Sequence, residues 1–265
     1  MTTTIADAQD KYRLYLESVQ SPQESADEID RVYEQTVARE PRLLIEDFSG
    51  AGALSAAWLA KNVTRRAIAV DIDPVPQAWG QVHLSPVELE RLRYETVSVL
   101  DHRPTEKADI IAAMNFSWML FTTRDSLHGY FDACRRRLAR GGALVMDMMA
   151  GTDAPIIGTE GRVVKPSKKR DKYKYFWSCR SYNALTALGT WTISWKFRDD
   201  SKLKDSFKYE WRLWTLPEVT EILTNLGFKV TVWVDIAEDE DETDLQPVTT
   251  YHGEGVFLPY IVATI

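Results

Sequence analysis

Cysteine is nearly absent from this chain of 265 residues, and histidine is sparse. Cys134 and Cys179 stand far apart, and His83, His102, His128 and His252 form neither a His-x-x-x-His pair nor a histidine-carboxylate cluster. Neither a disulfide framework nor a metal centre is therefore expected. No apolar run approaches the ~20 residues that cross a bilayer, and the opening MTTTIADAQDKYRLYL lacks a basic stretch followed by an apolar one. A soluble, cytoplasmic protein is the expectation. Positive charge is in deficit: 32 Lys and Arg against 39 Asp and Glu leave a net charge of -7, which argues against a nucleic-acid backbone as partner. The one basic run, KPSKKRDKYK at 165–174, reads as a solvated loop, with contact to an anionic partner as the alternative. Neither a Gly-x-Ser-x-Gly elbow nor a cysteine-histidine signature is present, which argues against a nucleophilic hydrolase.

What is present is a large apolar fraction, 45% of the chain, enough for a substantial core. Residues 1–40 are polar, with apolar residues at helical spacing in DKYRLYLESVQ and ESADEIDRVYEQTVARE around an SPQ break, and read as two surface helices. From 41 to 155, short β-rich runs (RLLIEDF, RAIAVDI, YETVSVL, ADIIAAMN, ALVMDMM) are interspersed with helical ones (GALSAAWLAKN, SPVELERLR, TTRDSLHGYFDACRRRLARGG). That rhythm predicts an α/β core with a mostly parallel sheet covered on both faces. Residues 173–213 change character: three alternating, aromatic-rich runs with turn signals at NALTALG and RDDSK predict an antiparallel meander. TLPEVTEILTNLGF then predicts a helix, with Thr215 as N-cap, Pro217 near its start and Gly227 near its end. A strand KVTVWVDI, an acidic solvated loop AEDEDETDLQP and a closing strand FLPYIVATI follow. The expected organisation is a helical segment at 1–40, a core formed by 41–155 and 214–265, and an inserted β layer at 156–213.

The chemistry centres on LLIEDFSGAGALSAAWL at 43–59, where two carboxylates precede a glycine turn that opens a helix. With Asp71 ending the next strand in AIAVDIDP, this arrangement suits both dinucleotides and S-adenosylmethionine, because glycines let backbone approach the ligand and the later carboxylate accepts ribose hydroxyls. Charge separates the two. A dinucleotide places an anionic pyrophosphate at the turn, whereas S-adenosylmethionine brings a sulfonium and an ammonium. One unit-charge pair at ~4 Å and an effective dielectric near 20 is worth about 4 kcal/mol before desolvation, so Glu46 and Asp47 favour the cationic ligand.

LLIEDFSGAG, AVDIDP, ADIIAAMNFSW and LARGGALVMDM occur in the order found in class I S-adenosylmethionine-dependent methyltransferases, and residues 41–150 and the C-terminal helix and strands resemble that family. The resemblance implies a Rossmann-like, seven-stranded, mostly parallel sheet with a terminal antiparallel strand. Glu46 matches the acid before the turn, Gly50 and Gly52 match its last two glycines, and Phe48 replaces the first. By the same resemblance Glu46 lies near the methionyl ammonium, Asp71 holds the ribose, Ile72 packs on adenine, and Asp101 bonds the adenine amino group. Asn115, Phe116 and Trp118 fall past the fourth strand, where the family places cofactor and substrate contacts. No Asn/Asp-Pro-Pro-Tyr/Phe sequence, the mark of DNA amino-group methylases, stands there.

The leading expectation is thus methyl transfer from S-adenosylmethionine, with S-adenosylhomocysteine as product, to N, O or S of a small-molecule acceptor. The alternatives are a nicotinamide-dependent oxidoreductase and a catalytically silent S-adenosylmethionine-binding regulator. The aromatic residues Trp177, Tyr182, Trp191, Trp195, Tyr209, Trp211 and Trp214 read either as sheet core or as a cage for a cationic or planar acceptor. Trp118, Tyr175 and Trp177 are the candidate acceptor residues, and no catalytic base is identified.

Overall fold

A computed structural model describes residues 3–83, 90–166, 171–237, 243–253 and 255–265. In chain order the elements begin with α1 (Lys11–Ser18), α2 (Pro22–Val37), β1 (Leu43–Asp47), α3 (Ala53–Ala60), β2 (Arg66–Asp71) and α4 (Pro74–His83). Then come β3 (Leu92–Thr96), β4 (Ala108–Ala113), α5 (Arg124–Arg137), β5 (Leu138–Asp147), β6 (Ala150–Gly151), β7 (Gly158–Val164), β8 (Tyr173–Asn183), β9 (Leu188–Lys196) and β10 (Lys202–Arg212). The chain closes with α6 (Leu216–Asn225), β11 (Lys229–Asp235), β12 (Leu245–Val248), β13 (Val256–Phe257) and β14 (Tyr260–Thr264). These divide into two compact units: Pro22–Thr152 with Trp214–Ile265, and Met1–Ser21 with Asp153–Leu213. Helix α1 therefore belongs to the smaller unit and α2 to the larger.

In the larger unit one sheet runs in the order β12-β11-β14-β5-β4-β1-β2-β3. Strands β1 to β5 are parallel, and β14 lies antiparallel between β5 and β11. This is the Rossmann-like sheet with its reversed terminal strand, plus an eighth strand at one edge. That extra strand, β12, comes from LQPV, inside the stretch read as acidic loop; Pro247 is tolerated there because an edge strand leaves one set of backbone donors unused. The β-rich Leu44, Ala112, Val145 and Val262 bury one sheet face beneath α2 and α3, whose Ile29, Tyr33, Trp58 and Leu59 are wholly enclosed.

Three boundaries differ from the sequence reading. Helix α5 stops at Arg137, and LARGG enters β5 in extended conformation. Strand β3 starts at Leu92, so the end of SPVELERLR is not helical, and 85–89 of that expected helix lie outside the described residues. Helix α4, PVPQAWGQVH, was not anticipated because Pro74, Pro76 and Gly80 look like breakers. Both prolines fall in its first turn, where backbone N–H groups have no intrahelical acceptor, and Asp73 accepts the N–H of Val75 at 2.9 Å. Gly80 is demanded by space: a Cβ there would lie 2.0 Å from the carbonyl oxygen of Ala51, in the glycine turn after β1.

The smaller unit holds an antiparallel sheet in the order β10-β9-β8-β7. Strand β7, GTEGRVV, lacks the apolar alternation that marked its three neighbours in the sequence. Cross-strand pairs such as Tyr175 with Trp195, and Cys179 with Trp191 and Tyr209, place the aromatic side chains on one face. Helix α1 and a 3-10 turn at Ala6–Ala8 pack on that face, with Leu14 and Ala6 buried. The Trp195 indole donates to Ser18 at 3.0 Å. Trp191, Trp195 and Trp211 are buried, so these aromatic residues are chiefly the core of the unit. Residues 167–170 of the basic run at 165–174 lie outside the described residues.

Gly80→Ala should destabilise the protein by ~1–3 kcal/mol in urea unfolding, even though alanine is the better helix former by ~1 kcal/mol. A stabilised variant would show that α4 does not press on the glycine turn.

Candidate cofactor site

Neighbouring residues on a strand face opposite sides of the sheet, so the two acids that end β1 part company. Glu46 shares the face of Leu44 and meets α3, where its carboxylate accepts the N–H of Ser55 at 2.8 Å and its hydroxyl at 2.5 Å. Burial pushes the Glu46 carboxyl up to about 7, against the lowering effect of those bonds, and the negative charges of Asp71 and Asp47 add to the rise. Asp47 turns toward α5. Arg137 donates to its two oxygens at 2.7 and 2.6 Å, and Tyr130 donates at 3.0 Å. Asp47 and Arg137 are 1% and 2% exposed. The expectation that both acids serve a ligand is thus corrected: Asp47 is consumed by a buried ion pair, and Glu46 alone stands under the turn. Cys134 lies in the same cluster, and burial holds its thiol up at about 12, so it is inert as a nucleophile.

The turn itself uses three left-handed residues: Phe48 at φ 56°, Gly50 at 52° and Gly52 at 74°. Phe48 keeps the bend that a glycine would make, at a cost of ~1–2 kcal/mol, and its ring rests against Tyr130 and Phe121 with centroids 5.5 and 6.1 Å away. The two glycines serve different ends. A Cβ on Gly52 would touch the Tyr94 ring at 3.0 Å, whereas one on Gly50 would meet nothing within 4 Å. Gly52 permits packing from below, where the Tyr94 hydroxyl donates to Ala51 at 2.8 Å; Gly50 leaves open space above.

Asp71, at the end of β2, closes the turn by accepting the N–H of Gly50 at 2.7 Å on one oxygen and that of Asp73 at 2.9 Å on the other. Each oxygen keeps a lone pair for a ligand hydroxyl. Ile72 follows with 72% of its surface exposed, an apolar side chain with no protein cover. Asp101 is exposed on the turn after β3. Asn115 and Phe116 come from the end of β4, the strand beside β1, and both are left-handed, at φ 58° and 59°. Their N–H groups donate to the two oxygens of Asp147 at 2.7 and 2.9 Å. Burial pushes the Asp147 carboxyl up to about 7 despite those bonds.

The structure therefore gathers Glu46, Phe48, Gly50, Gly52, Asp71 and Ile72 at the adjoining ends of β1 and β2, with Asn115 and Phe116 on the next strand. Trp118 is fully buried against Phe131 and donates its indole N–H to the Asp147 carbonyl at 2.8 Å, so it braces the loop and presents no surface. Tyr175 and Trp177 belong to the smaller unit. There Arg162 lies 5.3 Å from the Tyr175 ring, burial pushes that phenol up to about 12, and Trp177 packs on Tyr209 and Trp211. Ser55, Tyr94, Gly80 and Asp147 were missed. A signal for Asp147 existed, since β1, β2 and β5 each end on an aspartate. Among the described residues no cluster of His, Cys, Asp and Glu is arranged for a metal, and no helix is long and apolar enough to cross a membrane.

No family model matches the chain, and no curated protein matches it by sequence. Its structure is similar to that of an amino pentose methyltransferase of calicheamicin biosynthesis from Micromonospora echinaspora, solved with S-adenosylmethionine bound, at 12% identity and a TM-score of 0.70 over 97% of each chain. It is similar to a sugar N-methyltransferase from a Streptoalloteichus species at 14% identity and a TM-score of 0.68, over 100% of this chain and 96% of that one. An S-adenosylmethionine-dependent methyltransferase from Clostridium acetobutylicum gives 14% identity and a TM-score of 0.68 over 96% of each chain. The chain has the fold of the class I S-adenosylmethionine-dependent methyltransferases.

Proposed function

We propose that the protein transfers a methyl group from S-adenosylmethionine to a nitrogen of a small, polar amine. The observation that carries this reading is the open space beside Gly50, whose N–H is held by Asp71, with the buried acid Glu46 at the end of the strand that leads into the turn. The turn follows β1, and the strand order reverses between β1 and β4, where ligands of such sheets usually bind. The residues fit the cofactor: Asp71 retains lone pairs for ribose hydroxyls, Ile72 offers apolar surface for adenine, and Glu46 matches an ammonium. Asp101 takes the adenine amino group, and the fixed backbone of Asn115 and Phe116 borders the methionyl side. A pyrophosphate beside Glu46 would oppose like charge, which disfavours a nicotinamide cofactor.

Bound S-adenosylmethionine supplies an electrophilic methyl on a sulfonium, a good leaving group. The chain's own contribution is to hold, orient and desolvate the partners, which suffices for a displacement of this kind. Nitrogen is favoured as acceptor because structurally similar proteins act on an amino pentose and on sugar nitrogen.

S-adenosylhomocysteine should raise the melting temperature, by about 2.7 kcal/mol of added stability at a hundredfold excess over Kd, while NAD(H) leaves it unchanged; the reverse pattern would overturn the reading. Asp71→Ala should weaken that binding roughly 10- to 150-fold in calorimetry, the value of a lost charged hydrogen bond of ~1.5–3 kcal/mol. A silent binding protein would pass both tests and transfer no labelled methyl to any amine in a panel of amino sugars.

Glu46 adds a pH signature. Its carboxyl lies near 7 rather than at the ordinary 4.5, so it is mostly neutral below that pH, and an ammonium ligand favours its charged form. Affinity for S-adenosylhomocysteine should rise between about pH 6 and pH 8, and binding at about pH 6 should release a proton, seen as a buffer-dependent heat. Glu46→Gln should flatten both effects. The same raised value means that the native state holds this proton more tightly than the unfolded chain. The unliganded fold should therefore lose stability as pH climbs from 4.5 to about 7.

A further inference from the structure

The cofactor residues follow β1, β2, β3 and β4, and the next strand ends in the sheet, those of β5 and β14, carry none of them. There Tyr260 opens β14 directly opposite Asp147. Its phenol donates to the carboxylate of Glu28 on α2, a helix that rests on both β5 and β14. Glu28 and Tyr260 are half-buried. Burial raises the Glu28 carboxyl above its ordinary range, although the bond from Tyr260 opposes the rise. On the other side of β14, Trp233 of β11 is directly opposite Tyr260. Residues paired in this way share one sheet face, so Asp147, Tyr260 and Trp233 stand side by side on the face that α2 covers. Trp233 is 2% exposed, and its indole N–H has no partner among the described residues. A buried donor without an acceptor is costly, and this one is closed to solvent.

We infer that Glu28 and Tyr260 form the acceptor subsite of the proposed methyltransferase site and take the acceptor amine as its ammonium. The inference rests on the methyltransferase reading. Glu28, oriented by Tyr260, receives one proton from the ammonium. The freed nitrogen lone pair forms the new bond to the methyl carbon as the carbon–sulfur bond breaks, and that bond's electron pair stays on sulfur, leaving a neutral thioether. The methylated nitrogen carries the positive charge away.

The test needs no knowledge of the acceptor. Sinefungin carries an amine in place of the methyl-bearing sulfonium, while S-adenosylhomocysteine has no charge there, so the ratio of their dissociation constants reads the negative charge beyond sulfur. Calorimetry should show wild-type protein binding sinefungin about tenfold more tightly. Glu28→Gln should bring the ratio to about one with S-adenosylhomocysteine affinity unchanged, because only the charge facing the amine is removed. Tyr260→Phe, which keeps the packed ring, should lower the ratio about two- to threefold. Equal binding by the wild type, or a ratio unchanged in both variants, overturns the subsite alone. Failure of the wild type to bind either ligand overturns the methyltransferase reading and the subsite with it.

Discussion

The ion pair between Asp47 and Arg137 fixes the geometry on which the candidate site depends. Asp47 is held away from water at the end of the central strand, and its charge is tolerable only because a guanidinium 90 residues later meets both oxygens. Removing one partner of such a pair costs ~3–5 kcal/mol, chiefly because the other charge is left buried and unpaired. The pair anchors β1 to α5, and the same helix supplies Tyr130, which bonds Asp47 and supports the ring of Phe48. The bend of the turn is thereby enforced from beneath, without the glycine usual at its first position. With Asp47 neutralised, Glu46 alone among the adjacent pair remains to set the potential under the turn.

Carboxylates at strand ends do a second job in this fold, which is to fix irregular backbone. Asp71 takes an N–H from the glycine turn and another from the start of the loop leading to α4. Asp147 takes the N–H groups of two successive left-handed residues, Asn115 and Phe116. Left-handed conformations of non-glycine residues are costly, and two hydrogen bonds to one carboxylate offset that cost because charge-assisted bonds are the stronger kind. Loops so held are pre-organised: their backbone need not be ordered when a ligand arrives, and the affinity lost to ordering is correspondingly small.

The parts of this arrangement legible in the sequence are those with local causes. The run from β1 through the glycine turn to α3 and β2 shows itself because apolar period, glycine placement and terminal acids agree. Thr215 caps its helix as the sequence indicated, and Glu218 completes a capping box there. Helix α4 was hidden because Pro74, Pro76 and Gly80 read as breakers, and the reason for Gly80 is the distant carbonyl of Ala51. Glu46 and Asp47 looked equivalent. Alternation along a strand was enough to send them to opposite faces, but only the fold reveals that Arg137 waits on one side and Ser55 on the other. The aromatic residues of β8, β9 and β10 illustrate the same limit: their period showed a one-faced sheet, while the helix that covers that face comes from the far end of the sequence.

Charge movement links these features to the proposed reaction. Before transfer the cofactor carries its positive charge on sulfur, and afterwards the charge resides on the acceptor nitrogen while sulfur is neutral. Acids placed along the ends of β1, β2, β5 and β11 form a row that extends across the sheet, from Asp71 through Glu46 to Asp147 and Asp235. In the proposed reaction, acids on both sides of sulfur would stabilise the cation before and after transfer, whereas a single acid under sulfur would stabilise the starting state and raise the barrier. The elevated pKa of Glu46, about 7, works to the same end. Glu46 can be neutral when no cation faces it and charged when one does, so the unliganded site is spared part of the repulsion that neighbouring carboxylates would otherwise impose.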